Sequence, residues 1–188
     1  MRWGGVAVLV PFGSVDRTAL RWMRDGSQPL AFRLMSGDAP VAELRWAKDT
    51  GSLATAQTAD ASWTIKRGGF LNPHVTIRDA AGGPDLARLS VHLGYHSIHL
   101  AGGPEYRLHR AGLLVPAWQV TTTDRLEVVH LEPVRAGRVL EAGAVVVDAS
   151  ATDLRALLIL VVLSWHFIVL AWFEDEALVP LEGKDLPG

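Results

Sequence analysis

Lys66 and Arg67 are the only adjacent basic pair in the 188-residue chain, and they stand directly before Gly68-Gly69. Two neighbouring cations beside a flexible turn are a pattern that can hold a phosphate or another oxyanion. Alternation weakens the pair, because Arg67 shares a strand face with Trp63 and Ile65 while Lys66 points the other way. A solvated strand edge is the plainer reading. His92, His96 and His99 form the densest imidazole group. Such spacing suits zinc or nickel only if the rings converge. Gly94 sets a turn between the first two and the last two differ in strand parity, so ordinary surface histidines are expected. His166 lies in an apolar run and reads as a core histidine satisfied by a buried partner.

Other chemistry is absent by inspection. There is no cysteine, hence no disulfide, thiol nucleophile or Cys-containing metal site. No G-x-S-x-G elbow, phosphate-binding G-x-x-x-x-G-K-[ST] loop or H-E-x-x-H helix occurs. The expectation is a protein that is not an enzyme and carries no cofactor. Eighteen Lys and Arg against twenty Asp and Glu give a net charge of −2. No whole-chain basic field points to nucleic acid. Residues 1–152 carry +2 and residues 153–188 carry −4.

The elements that would position these residues are mostly short strands. Alternating apolar and polar residues mark 29–36, 40–47, 61–68 and 74–79, the first as a half-buried strand. Further runs fall at 86–91, 97–100, 105–110, 115–121, 126–131 and 144–149. Residues 1–13 read as a first strand, and 14–28 as a helical turn or irregular link. Turn residues at 49–51, 68–69, 82–84, 94, 102–104 and 112 punctuate the series. AGGPD at 81–85 returns as AGGPE at 101–105, a period of two strands plus two turns in a meander.

From Ala156 to Phe173, sixteen of eighteen residues are apolar. The run is too long for a strand and has no polar face, which predicts a helix over about 153–173 capped by Asp153. Protein or lipid must surround it. As a transmembrane span it would reach about 27 Å at 1.5 Å per residue, just short of a bilayer core of about 30 Å. His166 near its centre is unfavourable there. A barrel of ten to twelve strands is too wide for its own side chains to fill, and a helix about 10–12 Å across fits the lumen. The expected fold is therefore mainly β: one domain over 1–188, a closed antiparallel barrel of about twelve strands around a central hydrophobic C-terminal α-helix, with a tail over 174–188.

Specific segments point the same way. WTIKRGGF (63–70), PHVTIRDAAGG (73–83), GGPEYRL (102–108), PAWQV (116–120) and VVVDASATDLRALLILVVL (145–163) make residues 29–173 similar to the tubby C-terminal-like superfamily. That group includes the LURP-one-related proteins and the phospholipid scramblases. The resemblance implies a twelve-stranded barrel around a hydrophobic helix, acting as a binding or scaffold module. Anionic phospholipid is then an implied partner, with Lys66 and Arg67 as its candidate contacts, and an unknown protein is the other. A scramblase-type calcium site would need several acidic oxygens before the helix, where this chain has Asp148 and Asp153 alone. The expected location is cytoplasmic, peripheral to membrane. The alternative is a tail-anchored protein with residues 156–173 as its single span.

Overall fold

The computed structural model describes residues 7–26, 30–48, 51–69, 71–112, 116–137 and 139–178, the last five as backbone only. Strands β1 (Leu20–Asp25), β2 (Ala31–Ser36), β3 (Ala39–Trp46), β4 (Leu53–Thr58), β5 (Ser62–Gly68) and β6 (His74–Asp79) form its first half. The second half is β7 (Asp85–Val91), β8 (His96–Leu100), β9 (Glu105–Ala111), β10 (Ala117–Thr122), β11 (Glu127–Ala136) and β12 (Val139–Val147). Each pairs antiparallel with its successor, and β1 pairs with β12, Leu20 opposite Val145 and Trp22 opposite Gly143. This closes the sheet and leaves no edge to be covered.

Helix α1 (Leu154–Leu178) runs through the lumen. The Asp153 carboxylate caps it, accepting the Ala156 N–H at 3.0 Å. From Ala156 to His166 every side chain is buried, so the all-round apolarity follows from having strands on all sides. The segment is long and apolar enough to cross a membrane, but 72% of it is buried inside the chain. The helix continues five residues beyond Phe173, so the expected tail begins as helix, and residues 179–188 lie outside the described residues.

The barrel wall differs from expectation at both ends of the size scale. Residues 20–25 form β1, which the charged Arg21, Arg24 and Asp25 had obscured. Residues 7–11 belong to no strand and Phe12–Ser14 is a 3-10 turn, while residues 1–6 lie outside the described residues. Strand β4, LATAQT, gave no alternation signal because its inward residues are only alanines. Ala54 lies opposite Trp46 and Ile65, and Ala56 opposite Leu44 and Trp63. Small residues there leave room for two indoles that are 1% exposed. Strand β2 is buried on both faces rather than one, and its outward Arg33 donates from Nε to Glu43 Oε2 at 3.1 Å.

The helix and wall interlock through aromatic rings. Trp165 stacks on Trp22 with centroids 5.7 Å apart and meets Phe32 edge-on at 5.4 Å. Gly143 makes this possible, since a Cβ there would fall 2.4 Å from the Trp165 ring. The repeated AGGP strings both lie in hairpin turns, β6–β7 and β8–β9, at the same end of the barrel, but one residue out of step, the Gly82 N–H donating to the Asp79 carbonyl and the Gly103 N–H to that of Leu100. Gly82 and Gly102 take the positive φ values, +97° and +69°, that those turns require.

Candidate functional site

The two mouths of the barrel differ in charge because strand direction sorts the residues. Asp60, Asp79, Asp85, Glu105, Asp148 and Asp153 lie on strand ends and loops around the helix N-terminus. Arg24, Arg67, Arg110 and Arg135 lie at the opposite mouth, where the helix leaves the barrel. Acids near a helix N-terminus and cations near its C-terminus both complement the helix macrodipole. The wall complements the dipole in this way, whereas the helix's own sequence runs the other way, with Arg155 in its first turn and Glu174, Asp175 and Glu176 near its end.

The four arginines share one origin. Each follows the inward apolar positions of its strand by a two-residue step. Trp22 leads to Arg24, Ile65 to Arg67, Leu108 to Arg110, and Leu131 through Pro133 to Arg135. The alternation that packs the core therefore ends, at this mouth, by aiming guanidiniums beside the emerging helix.

Three cavities flank the helix here among the described residues. The one between β8, β9, β10 and β11 has a volume of about 210 Å³ and is lined by His96, Arg110, Trp118, Arg135, Phe167 and Trp172 among others. The Arg110 guanidinium lies 5.5 Å from the Trp118 ring centre, and that of Arg135 lies 5.1 Å from Trp172. A guanidinium over an indole face at this distance gains cation–π attraction. His96 packs 4.4 Å from Phe167 and 6.1 Å from Trp118. Its Nδ1 is buried without a hydrogen-bond partner among the described residues. Burial, helped by nearby His92, lowers the His96 pKa to about 4. The ring is neutral at pH 7.

The second cavity, about 100 Å³, is lined by Arg67, His74, Val91, Phe167 and Leu170. The third, about 130 Å³, lies between Arg24, Phe32, Leu140, Trp172 and Phe173. The acidic mouth has a larger hollow of about 520 Å³, reaching Asp60, Asp79, Trp63 and Arg155. There Asp79 already accepts the Ala81 N–H at 3.0 Å, closing the β6–β7 turn.

The expected basic pair is divided by the wall. Lys66 is exposed on the outer face, whereas Arg67 turns inward to the mouth cavity. The histidine trio is also dispersed. His92 Nε2 lies 3.0 Å from Ser97 Oγ, His96 faces the helix, and His99 stands outside, 3.8 Å from Glu105. His96 is thus no ordinary surface histidine. No group of three or more His, Asp or Glu is placed to hold a metal ion among the described residues. Asp148 accepts from the Ser150 N–H and hydroxyl, and Asp153 caps the helix. His166 is buried, but neither ring nitrogen has a hydrogen-bond partner among the described residues, so the expected polar satisfaction is replaced by stacking on Trp46.

Sequence reasoning did not single out Arg24, Arg110, Arg135, Trp118 or Trp172 as site residues. The usable signal was an arginine at inward parity at the mouth end of a strand, which had been noticed for Arg67 alone. No family model, curated protein or solved structure matches the chain.

Proposed function

We propose that this chain is a non-enzymatic, cytoplasmic binding module of the tubby-like, LURP-one-related kind, peripheral to membranes, whose basic mouth engages anionic phospholipid. The observation that carries the reading is the convergence of Arg24, Arg67, Arg110 and Arg135 where the apolar stretch of the helix leaves the barrel. Guanidiniums supply charge-assisted hydrogen bonds to phosphate, while Phe167, Leu170 and Trp172 offer apolar surface at the same depth. Lys66 adds a cation just outside the rim. Anionic surfaces attract such clusters by roughly 1 kcal/mol per basic residue.

Vesicle co-sedimentation tests this directly. The protein should bind vesicles containing anionic phospholipid, bind neutral phosphatidylcholine vesicles far less, and lose binding in high salt. Lys66→Glu combined with Arg67→Glu should weaken it. Unchanged binding in that double variant would remove the basic pair from the reading. Equal binding to neutral and anionic vesicles would remove the electrostatic contact altogether.

A further inference from the structure

We propose that Leu71 and Leu93, on the tips of two neighbouring hairpins, insert below the headgroups of an anionic phospholipid bilayer, while Lys66, Arg88 and Arg107 on the outer wall beneath those tips meet the lipid phosphates. This rests on the phospholipid-binding reading and adds an apolar anchor and a defined docking face to it.

Hairpin geometry puts both leucines in solvent. The His92 N–H donates to the Tyr95 carbonyl at 3.1 Å, which makes Leu93 and Gly94 the two tip residues of the β7–β8 turn. Gly94 supplies the φ of +85° that the turn needs. The ladder between β6 and β7 extends past His74 and Ser90 by one more bond, from the Val91 N–H to the Pro73 carbonyl at 3.2 Å. Leu71 and Leu93 each lie two residues beyond that bond, on adjacent turns of the rim. They are 92% and 102% exposed, more than any other large apolar side chain among the described residues. A lone exposed leucine is ordinary, but two neighbouring tips at full exposure form an apolar edge. The His92 ring stacks on Tyr95 at 5.0 Å and the Arg107 guanidinium lies 5.4 Å from the Tyr95 ring centre, which braces the second turn.

The wall beneath carries one sign of charge. From residue 61 to 123 the only acids are Asp79, Asp85 and Glu105, and all three lie at the far ends of their strands. Lys66, Thr76, Arg88 and His99 are successive cross-strand partners, so one outward row holds two cations two strands, about 10 Å, apart. Arg107 lies in the next row toward the tips, opposite Ser97. All three cationic side chains are exposed and face away from the central helix and its acidic residues 174–176. None of the three is in an ion pair among the described residues. Apolar tips above a cationic wall match a bilayer, where apolar side chains enter beneath phosphates that the cations hold. Two projecting side chains fall well short of the roughly 800 Å² per partner of a stable protein interface. Leucine also lacks the ring that stacks on nucleic-acid bases.

The chain has no cysteine, so Leu93→Cys and Leu126→Cys variants can each carry a single nitrobenzoxadiazole fluorophore. Leu126 is 67% exposed on the β10–β11 turn at the opposite end of the barrel. With vesicles of mixed phosphatidylcholine and phosphatidylserine, the label at 93 should shift to the blue and be quenched by nitroxide on the lipid acyl chains. The label at 126 should do neither. Leu71→Ser with Leu93→Ser should weaken vesicle co-sedimentation about tenfold. Both leucines are exposed, so that variant should melt as the parent does. Arg88→Ala with Arg107→Ala should weaken binding at low salt. Quenching of neither label while the vesicles bind would overturn the insertion and leave the phospholipid reading standing. Equal quenching of both labels, or full binding by the double arginine variant, would overturn the docking face. Tighter binding of single-stranded RNA than of vesicles at the same salt would give the wall to nucleic acid and overturn the proposal. Absence of binding to every vesicle would remove both the insertion and the phospholipid reading.

Discussion

The imidazole of His166 lies parallel to the indole of Trp46, with centroids 5.2 Å apart and planes 2° from parallel. The contact joins the middle of the central helix to the end of β3. It also places an ionisable ring where its charged form has no solvent and no acceptor among the described residues. Burial lowers its pKa to about 3, with a smaller contribution from the positive charge of Arg67.

Acid should therefore unfold the barrel in a defined window. An unfolded histidine titrates near 6.5, and the folded His166 near 3. Above about pH 6.5 both states are neutral and the full stability is present. As pH falls from 6.5 toward 3, only the unfolded state takes up the proton, and stability drops by up to about 1.4 kcal/mol per pH unit. His96, lowered to about 4, adds in the same direction over 6.5 to 4. Denaturant titrations at pH 7.5, 6, 5 and 4 should give a falling midpoint. A midpoint constant over that range would contradict the burial of His166.

His166→Leu has a sign that separates packing from polarity. It removes two buried nitrogens that lack partners among the described residues and keeps a similar volume. The variant should gain about 1–2 kcal/mol at pH 7.5, the scale of an unsatisfied buried polar group. Its pH dependence should flatten, leaving the part due to His96. Loss of stability at every pH would mean that ring stacking outweighs the polar penalty.

Gly143→Ala should be costly despite adding one methyl group. The new Cβ would fall 2.4 Å from Trp165, whose ring is fully buried and held by Trp22 and Phe32. Overpacking of this kind costs about 1–3 kcal/mol or more. Thermal unfolding checks it, with Gly82→Ala as the contrast. At Gly82 the φ of +97° is strained for alanine, but nothing lies within 4 Å.

Removing residues 153–188 should abolish the fold, not merely a tail. The helix supplies the buried Leu157 to Leu163 run, Trp165, Ile168 and Val169, around which every strand points its inward residues. Without them the lumen loses its filling, and the product should aggregate or show no cooperative transition. A soluble, cooperatively folding barrel of residues 1–152 would instead favour a helix destined for a bilayer.

A milder change tests the start of the helix. Asp153→Ala removes the carboxylate that accepts the Ala156 N–H. It should cost about 1 kcal/mol, with Asp153→Asn largely restoring stability because the amide oxygen can still accept. Denaturant melts at pH 7.5 measure both.

Several elements were determined by sequence alone, because their signal is local. Asp153 ahead of an apolar run fixes a helix start, and sixteen apolar residues in eighteen demand enclosure whatever encloses them. Alternation in β3, β5 and β6 identifies inward and outward residues, including the inward turn of Arg67. Strands β1 and β4 were illegible for opposite reasons. Charges mask the first, and alanines chosen to fit Trp46 and Trp63 mute the second. Their identity as strands depends on partners distant in the chain.

The candidate site is more fully a product of tertiary structure. Arg110 and Arg135 are twenty-five positions apart and come to line one cavity only because β10 lies between their strands. Lys66 and Arg67 are adjacent in sequence, yet the pleat sends them to opposite sides of the wall. Alternation tells which face a residue takes. Closure of the sheet, driven by burial of the helix inside it, decides which residues on that face meet.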